Sequence, residues 1–253
     1  MTDTTRTDLV LLHGWGMNAA IWPALPPPLA ARLRPCALDL PGHGGRAFDP
    51  ALVALPDWAT DCLERAPERA IWLGWSLGGL VALQAALLAP ERVQALILLS
   101  ATPRFVQAVD WRAAMPEQTL AGFAGELLED PSATLERFLA LQVRGDSDAR
   151  NTLRGLRAQL AERPAPDSHA LEIGLGLLRD EDLRARLPDI RPPALWLLGE
   201  RDTLVPAGVA ERVALLMPGA RVAVMPRAAH APQLSHAGAV AEQIGAFLDE
   251  IAC

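Results

Sequence analysis

Ser76 stands in Gly74-Trp75-Ser76-Leu77-Gly78, a G-x-S-x-G pattern. The pattern alone recurs by chance. Here it lies between the apolar run Ala70–Leu73 and the apolar, helix-length stretch Leu77–Leu88, the strand–turn–helix context the motif requires. So sharp a turn strains the serine backbone and needs small neighbours, which the glycines supply. It would lift the hydroxyl to the carboxyl edge of a sheet, beside the first N–H groups of the next helix. The plainer alternative is a glycine-rich turn with an incidental serine.

A nucleophilic serine needs a base, and the base needs a group to orient it. His230, in PRAAHAPQLSH, follows the last apolar run and precedes the last helical pattern, so it could reach the top of the sheet. His236, six residues on, is the competing base, nearer the final helix. His169 falls in a helical stretch and His43 in the DLPGHG turn. Asp202, in LLGERDTLVP, follows the run Ala194–Leu198 and would fix the imidazole tautomer; Glu200 is the alternative acid. The order Ser76, Asp202, His230 is one of the chain orders in which such triads occur. His13-Gly14-Trp15-Gly16 follows the first apolar run. The amides of Trp15 and Leu77 are therefore expected to form an oxyanion hole. A tight turn with His13 bonded to the loop and the Trp15 ring in the core is compatible with that role, which needs only the Trp15 N–H.

These residues require a scaffold that brings loop ends together. Short apolar runs at Leu9–Leu12, Pro35–Leu38, Ala70–Leu73, Val93–Leu99, Ala194–Leu198 and Arg221–Met225 read as strands. Helical spacing at Asp57–Ala66, Leu77–Leu88 and Ala239–Ile251 lies among them. Strands alternating with helices predict an α/β fold with a mostly parallel sheet and helices on both faces. Ligands of such sheets bind at the strand carboxyl ends, where all three triad candidates fall. Between about Phe105 and Pro188 the strand signal is lost and the spacing turns helical, broken by Pro116, Pro131, Pro164 and Pro166. The expected division is a core over residues 1–104 and 189–253, with a helical lid insertion at 105–188.

Composition narrows the chemistry. The chain has 253 residues and a formal net charge of −7, which disfavours general nucleic-acid binding. It contains no lysine and no tyrosine, so Schiff-base and phenolic catalysis are excluded. Cys36, Cys62 and Cys253 have no metal-ligand spacing and suit a reducing compartment. No metal and no cofactor is expected. The polar start MTDTTRTD does not resemble a signal peptide, and no apolar run reaches membrane-spanning length, so a cytoplasmic monomer is expected, with no membrane partner.

HGWG, DLPGHG, GWSLGG, GERD and AAHAP, in this order, resemble the α/β-hydrolase superfamily. LVLLHGWGMNAAIW, AIWLGWSLGGLVA, PERVQAL and ERFLALQ look more closely like the biotin-pathway pimeloyl-[acyl-carrier protein] methyl ester esterases. ERFLALQ carries most weight, because it lies in the variable insertion. The resemblance implies a serine carboxylesterase that frees pimeloyl-acyl carrier protein from its methyl ester. It implies substrate contacts at Trp15, Ser76, Leu77 and His230, and an acyl channel lined by Phe138, Leu139, Ala140, Leu141 and Gln142. Its partner would be acyl carrier protein, bound transiently. Arg137, Arg144, Arg150, Arg154 and Arg157 form a basic stretch against Asp146 and Asp148. Arg150, Arg154 and Arg157 share a helical face that could attract an acidic carrier; Arg137, Arg150 and Arg154 are the chief candidates. The other reading of that face is a solvated one paired with neighbouring acids. The family usually begins with one or two further antiparallel strands, so a sheet short at its N-terminal edge is expected. Alternatives are a general short-chain carboxylesterase, a carbon–carbon bond hydrolase of the same fold, and a non-catalytic binding protein on this scaffold.

Overall fold

The computed structural model describes residues 6–146 and 148–252. Six parallel strands form one sheet in the order β2-β1-β3-β4-β5-β6. They are β1 (Thr7–Leu12), β2 (Leu33–Leu38), β3 (Ala70–Trp75), β4 (Val93–Leu99), β5 (Ala194–Gly199) and β6 (Arg221–Met225). The chain builds outward from β1 to β2, then returns past β1 to lay down β3. The strand order therefore reverses between β1 and β3, the point at which sheets of this kind bind their ligands, beside the strand carboxyl ends. β3 and β5 are buried along their whole length, which explains why they read as unbroken apolar runs rather than alternating ones. At the edge, β6 buries only Met225.

The helices are α1 (Pro27–Ala30), α2 (Leu55–Arg65), α3 (Leu77–Leu88), α4 (Glu117–Glu129), α5 (Pro131–Gln142), α6 (Ala149–Leu160), α7 (Ser168–Asp180), α8 (Val209–Leu216), α9 (Pro232–Ser235) and α10 (Ala237–Ile251). α2 and α3 pack together, with α3 against β1, β3 and β4; α10 packs on α1 and β5. The sheet thus sits between helical layers, as the alternating pattern predicts.

The element limits differ from the expected ones for local reasons. α2 begins at Leu55, not Asp57, because the Asp57 carboxylate turns back and accepts the Ala54 N–H at 2.8 Å. Pro56 is tolerated in that first turn, where its missing N–H has no intrahelical partner to lose. α10 likewise starts two residues early, directly after α9. Among the described residues no strand precedes β1.

Between β4 and β5 lie α4 to α7. The stretch from about Phe105 to Pro188, expected to be helical and broken by prolines, is not helical at its start. Residues 105–116 form a looped ribbon with bridges Val106–Met115 and Ala108–Trp111. Trp111 is buried there and donates to the Arg104 carbonyl at 3.0 Å. Pro116 and Pro131 start helices rather than break them: Pro131 is the first residue of α5, and the Asp130 carboxylate caps it on the Ala133 N–H at 3.0 Å. Pro164 and Pro166 lie in the link from α6 to α7. That link is tied down where Asp39 accepts from Arg163 at 2.8 Å and Gly42 accepts from the Asp167 N–H at 2.8 Å.

Cys36 is half-buried and Cys62 buried, both as free thiols; Cys253 lies outside the described residues. Burial pushes the Cys62 thiol up to about 12, which makes it a poor nucleophile. Among the described residues no helix is long and apolar enough to cross a membrane.

Candidate active site

β3 ends at Trp75 and α3 begins at Leu77, leaving Ser76 alone at the turn. Its backbone is left-handed, with φ 55° and ψ −118°. Such a conformation costs a non-glycine residue about 1–3 kcal/mol and persists only where its surroundings hold it. Here the Ser76 N–H donates to the Leu99 carbonyl at 3.0 Å, and the Ser76 carbonyl accepts from Gly79 at 2.8 Å. The motif glycines are steric requirements. A Cβ on Gly74 would overlap the Gly78 carbonyl, and one on Gly78 would overlap the carbonyls of Leu12 and His13. The first turn of α3 rests directly on the ends of β1 and β3, and only glycine allows that approach.

His230 Nδ1 lies 2.7 Å from Asp202 Oδ2, and both side chains are buried. The other carboxylate oxygen, Oδ1, accepts the N–H groups of Leu204 and Val205 at 2.8 and 2.9 Å. With a carboxylate oxygen as the partner, the shared proton is assigned to Nδ1, which leaves a lone pair on Nε2. Nε2 is buried and has no hydrogen-bond partner among the described residues. The His230 backbone is clamped from two sides. Its N–H donates to the Gln142 carbonyl at 3.1 Å, and its carbonyl accepts from Trp75 Nε1 at 2.7 Å. The residue before Ser76 therefore holds the loop that carries the histidine.

The competing residues are engaged elsewhere. Glu200 accepts the Arg227 N–H at 2.7 Å and steadies a residue with φ 61°. His236 Nδ1 sits 2.8 Å from Ser235 Oγ. His43 donates from Nδ1 to the Pro41 carbonyl at 2.8 Å. His169 is exposed beside Asp167.

The loop after β1 lies against the serine: a Cβ built on Gly14 would sit 3.2 Å from Ser76 Cβ. The Trp15 ring is buried under the insertion, and its Nε1 donates to the Leu171 carbonyl of α7 at 2.8 Å. Phe138 meets the ring edge-on, with centroids 4.8 Å apart. α7 can come this close only because residue 174 is glycine, since a Cβ there would stand 2.8 Å from Trp15 Cδ1. Leu77 is the first residue of α3, where an N–H has no acceptor one turn back.

The insertion residues divide into two sets. Phe138, Leu139 and Gln142 are buried, and Phe138 packs between Trp15 and Phe123. Ala140 is exposed and Leu141 half-buried. These two line an open groove of about 620 Å³ between α4 and α5, together with Phe123, Arg137 and Arg144. The run Phe138–Gln142 is thus not one continuous inner wall. The arginines divide as well. Arg137 pairs with Glu126 and lies over the Phe123 ring, and Arg157 pairs with Glu136 at 2.6 Å. Arg154 donates to Asn151 at 2.9 Å. Arg144 and Arg150 are exposed, with no side-chain partner among the described residues. Sequence reasoning missed three contributors: Trp75, the Gln142 carbonyl and Gly174. Only Trp75 left a signal, as a bulky aromatic inside the serine motif.

The pattern of the alpha/beta hydrolase family matches residues 9–243. The chain is 48% identical over 243 residues to the pimeloyl-[acyl-carrier protein] methyl ester esterase of Pectobacterium atrosepticum, covering 96% of this chain and 94% of that protein. It is 46% identical over 235 residues to the protein of the same name from Photobacterium profundum, covering 93% and 92%. Among solved structures, a hydrolase from Pseudomonas aeruginosa superposes with a TM-score of 0.79 at 28% identity, over 97% of this chain and 91% of that one. A bromoperoxidase from Bacillus anthracis, at TM-score 0.85 and 20% identity over 97% and 92%, shares the fold.

Proposed function

This chain belongs to the alpha/beta hydrolase family, and we propose that it is a serine carboxylesterase acting on the methyl ester of pimeloyl-acyl carrier protein, a step in biotin precursor synthesis. The observation that carries the reading is the buried His230–Asp202 pair, whose free Nε2 belongs to the same loop cluster as the strained Ser76. The near full-length likeness to several esterases of that name supplies the substrate class.

In this reading Ser76 Oγ attacks the ester carbonyl while His230 Nε2 takes its proton. Asp202 stays ionised, holds Nδ1–H and stabilises the imidazolium. The oxyanion is held by the Trp15 and Leu77 amides, which are fixed before the substrate arrives and so cost no reorganisation. His230 then protonates the departing methoxide, and methanol leaves. A water molecule, deprotonated by the same nitrogen, cleaves the acyl-enzyme and frees the carboxylate. Phe138, Leu139 and Gln142 border the acyl chain on the inside, and Ala140 and Leu141 border it in the outer groove. Of the carrier-facing candidates, Arg150 and Arg154 face the acidic carrier, Arg137 is tied to Glu126, and the exposed Arg144 joins them. The reading includes a transient complex with acyl carrier protein, a monomer and a cytoplasmic location.

The test is hydrolysis of pimeloyl-acyl carrier protein methyl ester beside a short p-nitrophenyl ester. Cleavage of the carrier-linked ester, lost in Ser76→Ala, is the expected result. Cleavage of the small ester alone would leave a serine esterase and discard the carrier-linked substrate.

A further inference from the structure

We infer that His13 is a positioning residue for acyl transfer: its ring orients the Gly14–Trp15 peptide so that the Trp15 N–H faces the oxyanion at Ser76. The inference rests on the oxyanion role proposed above for that amide. The geometry begins with the ring, both of whose nitrogens are engaged. Nδ1 lies 2.8 Å from the Gly14 carbonyl oxygen, which can only accept, so Nδ1 donates. Nε2 lies 3.0 Å from the Leu40 nitrogen and accepts its N–H. One neutral tautomer satisfies both bonds. Burial, with His43 5.3 Å away, pushes the His13 pKa down to about 3, so this tautomer persists wherever an esterase with a histidine base operates.

The consequence follows from peptide geometry. The Gly14 carbonyl is held by His13 and also accepts the Met17 N–H at 3.2 Å. In a trans peptide the carbonyl and the following N–H point in opposite directions, and the chain has no cis bond among the described residues. Fixing the Gly14 carbonyl toward the His13 ring therefore fixes the Trp15 N–H away from it. Gly14 itself lies against Ser76, with its built Cβ 3.2 Å from Ser76 Cβ. The Trp15 ring cannot do this work, because its hydrogen bond to the Leu171 carbonyl anchors the side chain and not the peptide plane. Without the His13 bond only the longer Met17 contact holds the carbonyl, and rotation of the loosened peptide would replace an oxyanion donor with a repelling carbonyl. Leu40 follows β2, so the ring ties the oxyanion loop to the neighbouring strand end.

The experiment compares wild type, His13→Phe and His13→Asn on one small ester. It also measures affinity for a trifluoromethyl ketone, which adds to the serine as a tetrahedral oxyanion. His13→Phe keeps the ring and removes both bonds; kcat is expected to fall about 100-fold, as for loss of an oxyanion donor, with KM nearly unchanged. Ketone affinity should fall by the same factor. Asn retains a donor near the Nδ1 position but does not reach Leu40, and should recover about tenfold of the lost kcat. If His13→Phe does not fold, His13→Asn carries the test, with a matched loss of about tenfold in kcat and ketone affinity. Wild-type kcat in the variants, or a lost kcat with ketone affinity intact, would overturn the inference alone. A wild-type protein that cleaves no ester and binds no ketone would overturn the acyl-transfer reading as well.

Discussion

The loops at the carboxyl end of the sheet and the helical insertion above them are held in different ways. In the loops, buried hydrogen bonds that end on the main chain fix each group that faces the site, most of them given by other main-chain groups. Ser76 is held by Leu99 and Gly79, Asp202 by two amides, and His230 by Gln142 and Trp75. The insertion is held at its margins by few main-chain bonds, such as Asp167 to Gly42, and otherwise through side chains. Arg163 reaches Asp39, Asn18 reaches the Leu160 carbonyl at 3.2 Å, and Arg201 reaches the Gly145 carbonyl at 3.2 Å. Its outer face carries arginines, some paired and some free. A site built from backbone presents the same geometry to every substrate. A surface built from side chains can change its preference without disturbing the chemistry below. The two regions meet where the insertion supplies the Gln142 carbonyl to the His230 N–H.

The division predicts that damage to the loops abolishes turnover on all esters alike. The largest effect belongs to Ser76→Ala, expected to lower kcat at least about 10⁵-fold on any ester while leaving the thermal midpoint unchanged. A variant retaining several per cent of wild-type turnover would remove the serine from the chemistry. Next is Asp202→Asn, which should lower kcat about 10⁴-fold by reversing the tautomer preference of His230. Glu200→Gln disturbs only the turn at Arg227 and should leave kcat within about threefold, the scale of a surface substitution. Kinetics on one ester suffice, and the reverse ranking would move the acid to Glu200.

A third test separates the regions by stability. His13 and His43 are buried in the core, and desolvation lowers them to about 3 and about 4 respectively. Their unfolded value is about 6.5, so below that pH the unfolded chain binds protons that the folded chain refuses. Stability is therefore full above about pH 6.5 and falls as the pH drops toward the folded values. At pH 5 the loss is about 2 kcal/mol for each histidine, an upper figure. Asp8, Asp180 and Asp182, held low by neighbouring arginines, contribute stability that is lost only further down. Urea unfolding at pH 7.5 and pH 5 should show the loss, and His43→Gln should remove about half of it. A flat profile between those values would mean that neither histidine is buried and neutral in solution.

The same division explains what could be read from the sequence. The strands, the nucleophile turn and the loop histidine were legible because local steric rules write them into short segments. Gly74 and Gly78 are there because α3 touches β1, and the burial of β3 on both faces makes Ala70–Leu73 an unbroken apolar run. The acid was legible only as a choice between Asp202 and Glu200. What separates the two is long-range: Asp202 lies 2.7 Å from His230 Nδ1, whereas Glu200 is bonded to Arg227, 27 residues away in the chain. The insertion was legible as helical but not in detail. Residues 105–116 form a ribbon through bridges between Val106 and Met115 and between Ala108 and Trp111, with Trp111 bonded to the Arg104 carbonyl, and no periodicity records these pairings. The shared face of Arg150, Arg154 and Arg157 was legible from spacing, whereas the pairing of Arg157 with Glu136 depends on how α5 meets α6.

That pairing also sets the smallest effect and the sharpest use of the comparison. Arg150 and Arg154 are exposed on α6, and no acid compensates Arg150 among the described residues. Charge reversal at both sites should raise KM for the carrier-linked ester about tenfold at low salt, through a slower encounter and a weaker complex. The factor should shrink as ionic strength rises, because exposed charges are screened within about 10 Å at 0.1 M. A p-nitrophenyl ester, which needs no carrier, should be cleaved at the wild-type rate. Reversal at Arg157 is a poorer probe, since it also breaks the pair with Glu136. Equal loss on both substrates would mean that the arginines act through the structure of the insertion, and the carrier-facing role would be wrong. Loss confined to the carrier-linked ester, and removed by salt, would place substrate choice on the insertion and leave the chemistry with the loops.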